Sequence, residues 1–184
     1  ATLAMQPNRR KKLVADGAIK TINDLCQLND GVVRRACAAA CAHLSADPAL
    51  RAPMVEGGLV LSIGKLTMQG NSSTKLDCAY ALCNLTCQEG MEGRVIREGV
   101  LHIIEKIPDT TPAALDSCLK ICLNLAAVTE RYSKIEDITE ILLHFHDMHP
   151  SDGSLAFVLA AINNLSGIRT NQLRLVEDGA LKII

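Results

Sequence analysis

The chain of 184 residues has no tryptophan, two phenylalanines and two tyrosines. Cores of β-sheets draw on aromatic and β-branched side chains. The apolar residues here are mostly Ala, Leu, Ile, Val and Cys, which suit close helix–helix packing, so the composition predicts an all-α protein. An excess of either charge is also missing: 19 Lys and Arg stand against 20 Asp and Glu, a formal net charge of −1. No global field then draws the chain to nucleic acid or to an anionic membrane surface. There is no basic segment leading into an apolar signal core, and no apolar run long enough to span a bilayer. The expectation is a cytoplasmic protein in a reducing compartment, with no nucleic-acid partner and no membrane span.

What is present is repetition. His43, Asn84, Asn124 and Asn164 stand 41, 40 and 40 residues apart, each inside a similar tail: Ala42-His43-Leu44-Ser45, Cys83-Asn84-Leu85-Thr86, Leu123-Asn124-Leu125-Ala126 and Asn163-Asn164-Leu165-Ser166. A second marker keeps the same period. Val14-Ala15-Asp16-Gly17-Ala18-Ile19 is echoed by Val55-Glu56-Gly57-Gly58-Leu59-Val60, by Ile96-Arg97-Glu98-Gly99-Val100-Leu101 and by Val176-Glu177-Asp178-Gly179-Ala180-Leu181. Two markers in fixed phase identify an array of one unit. Of the eight cysteines five follow the array too, because Cys37, Cys78 and Cys118 each lie six residues before a marker position and Cys41 and Cys122 two before it. Equivalent positions of stacked helices call for small hydrophobes, so these thiols are expected to be structural and reduced rather than disulfide-bonded or zinc-binding.

Each unit reads as three helices. A short first helix ends at the Gly, whose missing Cβ permits a sharp turn. A second runs, for example, from Gly99 to Ile107, and a third and longer one carries the Asn-Leu marker, as over residues 73–87. Pro7 and Pro48 sit where a first helix begins, a place that tolerates a missing N–H.

The turn (Val/Ile)-x-x-Gly-(Ala/Val/Leu)-(Ile/Leu/Val) and the tail Leu-x-Asn-Leu-(Ala/Ser/Thr) resemble the armadillo repeat over essentially the whole chain. The resemblance implies a right-handed superhelix of three-helix repeats whose third helices line a concave groove. Residues 1–4 then end a preceding repeat, and 5–46, 47–87, 88–128 and 129–168 are full repeats. Residues 169–184 begin another. The repeat at 129–168 departs from the pattern, since Asp137 stands in place of the turn glycine and a shortened or irregular first helix is expected. The turn-like link Pro108-Asp109-Thr110-Thr111-Pro112 marks the preceding repeat as a site for a bend. Neither end has a polar cap, so the chain is expected to be an excerpt of a longer array and part of a larger complex.

At 100° per residue the marker and the positions four and seven before it share one stripe of the third helix. That stripe reads His43, Ala39, Ala36; Asn84, Tyr80, Asp77; Asn124, Lys120, Ser117; and Asn164, Ala160, Phe157. The far side is apolar, for example Leu85, Leu82, Ala79 and Cys78, or Leu165, Ile162, Leu159 and Val158, and is expected to be core. By the resemblance the stripe is the concave surface, and His43, Tyr80, Asn84, Lys120, Asn124, Phe157 and Asn164 are the expected contacts of a protein or peptide partner. An Asn amide is donor and acceptor at once, so a row of them suits the main chain of an extended peptide. The same residues are equally suited to bridging adjacent helices. Importin-α-like members carry a Trp four residues before the Asn. Here Ala39, Tyr80, Lys120 and Ala160 stand there, so a nuclear-import groove is not expected. Lys120 and Arg35 share the stripe with Asp77, which makes the groove mixed in charge.

Other signals carry less. Gly64-Lys65 lacks the spacing and the hydroxyl of a phosphate loop. Arg9-Arg10-Lys11-Lys12 reads as a solvated helix face, and His144-Phe145-His146-Asp147-Met148-His149 as a solvated helix end rather than a metal set. No nucleophile–base pair or carboxylate dyad is evident, so neither a cofactor nor an enzymatic activity is expected. The function expected is an interaction scaffold. The alternatives are a docking element of a cytoskeletal or ciliary assembly, and a regulatory domain of a larger enzyme.

Overall fold

A computed structural model describes residues 1–107, 111–128, 135–148 and 152–183. Among them the regular structure is entirely helical. The first unit has α1 (Pro7–Ala15), α2 (Ala18–Leu25) and α3 (Gly31–Ser45). The second has α4 (Pro48–Glu56), α5 (Leu59–Gln69) and α6 (Ser72–Thr86), and the third α7 (Glu92–Arg97), α8 (Val100–Ile104) and α9 (Pro112–Ala126). Then come α10 (Ile135–Asp147), α11 (Asp152–Ser166) and α12 (Arg169–Glu177), with a 3-10 turn at Ala180–Lys182. No helix among the described residues is long and apolar enough to cross a membrane.

Local chemistry sets the boundaries. Gly17, Gly58, Gly99 and Gly179 take φ of 94°, 78°, 85° and 91° at the entrance to the second helix or its start. This left-handed region is costly for any residue with a Cβ. The third helices α3, α6 and α9 begin on a side-chain cap. Asp30 accepts from the amides of Val32 and Val33 at 2.7 and 3.0 Å, Asn71 from Thr74 at 3.0 Å, and Thr111 from Ala114 at 3.2 Å. Each satisfies amides that lack an intrahelical partner. The two Asp30 bonds favour the ionised form, so its carboxyl is held below the ordinary value.

The ends of α3 and α11, and the turn at residues 2–5, are closed by a residue six positions on, in the helix that follows. Arg10 Nε donates to the Ala4 carbonyl at 2.8 Å, Arg51 Nε to Ser45 at 3.0 Å, and Gln172 Nε2 to Ser166 at 2.9 Å. Arg10 and Arg51 are therefore not simply solvated cations of a basic face; Arg9, Lys11 and Lys12 are the exposed ones.

Stacking follows the period. α3 packs on α6, α6 on α9 and α9 on α11, while α2, α5, α8 and α10 form a second row in that order. The core runs continuously between the rows, with Cys41, Leu44, Leu82, Leu85, Leu119 and Leu125 at or near zero exposure. α10 runs unbroken through Asp137 and fills the second-helix place of its unit. The first-helix segment of that unit, 129–134, and residues 108–110 of the expected bend lie outside the described residues. Phe145 is fully buried, so the histidine-rich end of α10 is anchored in the core rather than merely solvated.

The left-handed turn gives a direct test. Gly58→Ala adds a Cβ that meets nothing within 4 Å, so only backbone strain opposes it. It is expected to destabilise the fold by about 1–2 kcal/mol in urea unfolding, with an unchanged m-value.

Candidate partner-binding face

The stripe of the third helices is where polar groups gather. On α6 and α9 its far side is core, as read from the sequence: Cys78, Ala79, Leu82 and Leu85, then Cys118, Leu119, Cys122 and Leu125, all have zero exposure. Two residues depart from the expectation. Leu159 is 40% exposed although its equivalents Ala79 and Leu119 are buried, because no further third helix packs over α11 among the described residues. Ser117, expected on the open stripe, is buried and returns its hydroxyl to the Ala113 carbonyl at 2.9 Å. Asp116 replaces it as the half-buried polar group and accepts a hydrogen bond from the Ser154 hydroxyl of α11.

The marker asparagines tie one third helix to the one before. Asn84 Nδ2 donates to Ser45 Oγ at 3.1 Å, and that hydroxyl donates to the Ala42 carbonyl at 3.0 Å. Asn124 repeats the pattern, donating to Thr86 Oγ1 at 3.0 Å while Thr86 donates to the Cys83 carbonyl at 2.9 Å. Its amide nitrogen also lies 3.2 Å from Cys87 Sγ. The bridging role left open by the sequence is thus present at two positions. The signal for it was the Ser or Thr two residues after the marker. Asn164 has no such partner, because its counterpart in α9 is Ala126; a pocket of about 270 Å³ lined by Ala126, Ala127, Asn164, Gly167 and Ile168 opens there instead.

The remaining expected contacts are distributed unevenly. His43 is half-buried, and Tyr80 is 42% exposed. Lys120 is exposed, with its Nζ 4.9 Å from the centre of the Phe157 ring, so α9 and α11 bring those two together as a cation–π pair. Phe157 itself leans on the core. Near α3, burial pushes the Asp77 carboxyl above its ordinary value, and the charges of His43 and Arg35 offset this in part.

The cysteines divide by place. Burial pushes Cys78 and Cys122 up to about 12, so both are neutral thiols at physiological pH. Cys87 is the exposed one, at the end of α6. An apolar cleft of about 630 Å³ also opens between residues 1–4 and α1–α3, lined by Leu13, Ile22, Val33 and Cys37 among others. It is a packing face rather than a convergence of polar groups. His144 is exposed and His146 lies 3.6 Å from Asp147 Oδ1, while His149 is outside the described residues. Among the described residues no group of three His, Cys, Asp or Glu could hold a metal ion. No family model matches the chain, and no curated protein matches it in sequence.

The bridges and the half-buried acid are both measurable. In a double-mutant cycle of Thr86→Val and Asn124→Ala, unfolding free energies are expected to show a coupling of about 0.5–1.5 kcal/mol. Asp77→Asn tests the acid. A carboxyl whose folded value is raised keeps its contribution below the unfolded value and loses it as pH rises through the folded one. The substitution is therefore expected to raise the melting temperature at pH 7, and the gain should vanish below about pH 3.9, where the unfolded chain is also protonated.

Proposed function

We propose that this chain is an array of armadillo-type repeats acting as a non-enzymatic scaffold, which holds an extended segment of a protein partner along the stripe of third helices. In this reading the array winds as a right-handed superhelix and the stripe is its concave side. The supporting observation is a half-exposed asparagine on each of α6, α9 and α11, two of them fixed in orientation by a bridge to the preceding helix. A bridge through Nδ2 leaves the amide oxygen to accept from a partner N–H, and at Asn84 a second N–H to give to a carbonyl. Fixing the amide beforehand lowers the entropy lost on binding. Recognition through the main chain tolerates many sequences, and selectivity falls to His43, Tyr80, Lys120 and Phe157 between the amides. The eight free cysteines suit a reducing, cytoplasmic setting.

The experiment is peptide display on the folded protein, followed by affinity measurement of the selected peptides. The double change Asn84→Ala and Asn124→Ala is expected to weaken them by about 10- to 100-fold, the worth of one to two strong hydrogen bonds. Helical content by circular dichroism should be retained. Undiminished binding by the double variant would move the partner to another face.

A further inference from the structure

The charges on the stripe are not equivalent. Burial raises the Asp77 carboxyl and the charges of His43 and Arg35 act against that rise, while Asp116 accepts a hydrogen bond from the Ser154 hydroxyl. Lys120 is different. Like Arg35 it is exposed and has no ion pair among the described residues, but its ammonium alone of the two is placed by an aromatic face, that of Phe157, 4.9 Å from the ring centre. An aromatic face orients a cation without neutralising it. The ammonium also lies close enough to α6 to lower the Cys83 thiol, although burial still holds that thiol at about 11. Lys120 stands on α9, which packs between α6 and α11.

Beside it, two neighbours have unspent capacity. Asn124 lies one turn along α9 with its Nδ2 used and its oxygen open to an N–H. Asn164 on α11 lacks the hydroxyl partner its two counterparts have, because Ala126 stands there, and it borders the 270 Å³ pocket. Asn84 keeps capacity of the same kind, but between α9 and α11 that capacity lies beside a cation held on a ring and next to an open pocket.

We infer that the partner segment carries an acidic side chain, Asp or Glu, that pairs with Lys120 over the Phe157 ring while its main chain runs past Asn124 and Asn164. The junction of α9 and α11 is the selective end of the stripe, and the α3–α6 end contributes sequence-tolerant contacts. This rests on the groove reading above. Lysine has no acceptor, so a basic segment gains nothing from it and meets repulsion there. A carboxylate gains an ion pair strengthened by partial desolvation against the ring. One isolated cation reads a single acidic position rather than a polyanion, and the net charge of −1 adds no field to attract one.

The test uses a synthetic library of end-capped nonapeptides in which one position is fixed as Asp, Asn or Lys and the rest are mixed. Binding to the folded protein is read by fluorescence anisotropy. At one position of the peptide, Asp is expected to be preferred over Asn by about tenfold at low salt, with the preference shrinking as salt rises. Lys120→Gln should abolish that preference, so that Asp- and Asn-fixed peptides bind equally, and Lys120→Glu should turn it toward Lys. Phe157→Leu, which keeps an apolar side chain against the core, should reduce the preference without removing it. An acid preference that is absent, or that survives Lys120→Gln, overturns the inference even if Asn84→Ala with Asn124→Ala still weakens binding. Binding that ignores the asparagines sinks the groove reading itself, and binding by no peptide counts against both. Tight capture of single-stranded oligonucleotide through Lys120 in the same assay would replace the peptide with a phosphate ligand and overturn the inference.

Discussion

Close contact between consecutive third helices is the constraint on which the rest of the structure depends. A fifteen-residue helix such as α6 cannot bury its apolar side within its own unit, since α4 and α5 cover only part of it. The rest is covered by α3 on one side and α9 on the other. Ala38, Cys41, Cys78, Ala81, Cys118 and Cys122 are all fully buried. Their small volume lets helix axes approach while larger leucines fill the space between the rows. This also accounts for the poverty in aromatic residues, because bulky rings at these positions would push the helices apart. The arrangement makes stability a matter of neighbours rather than of single units.

The same stacking determines what the marker asparagine does. Once α6 lies on α3, the amide of Asn84 comes within reach of the Ser45 hydroxyl, and the period repeats the meeting at Asn124 and Thr86. A residue placed on the exposed stripe by helical phase thus has a structural use as well. The bridge spends the nitrogen and orients the oxygen, which is compatible with the partner contact proposed for it. Where the hydroxyl is replaced by Ala126, the bridge is gone and a pocket appears beside Asn164. The loss of a single side-chain hydroxyl removes the kind of contact that fixes the other two asparagines.

Much of this could be read in the chain before it was folded. Helical phase put Leu82, Leu85, Leu119 and Leu125 in the core, and the glycine marker located the left-handed turns at Gly17, Gly58 and Gly99. Both depend on residues close in sequence, where period and φ preference act alone. The third-helix caps Asp30, Asn71 and Thr111 were legible by the same period but needed the helix starts to be recognised. Leu159 shows the limit of phase, because burial requires a covering helix and no third helix covers α11 on that side among the described residues. Ser117 shows another limit, since a small hydroxyl that satisfies itself on its own backbone is as easily buried as exposed.

The sequence by itself determined the all-helical class, the period, the turn positions and the apolar side of each third helix, because these follow from local backbone preference and the 3.6-residue repeat. Only the tertiary structure decided which polar groups remain unspent. That depends on which helix lies against which: whether a hydroxyl meets Asn84, whether a ring lies under Lys120, whether a neighbouring serine occupies Asp116. Two stripes alike in composition become different in chemistry because hydrogen bonds and charges are satisfied across repeats, by residues roughly forty positions away, and no local pattern records that.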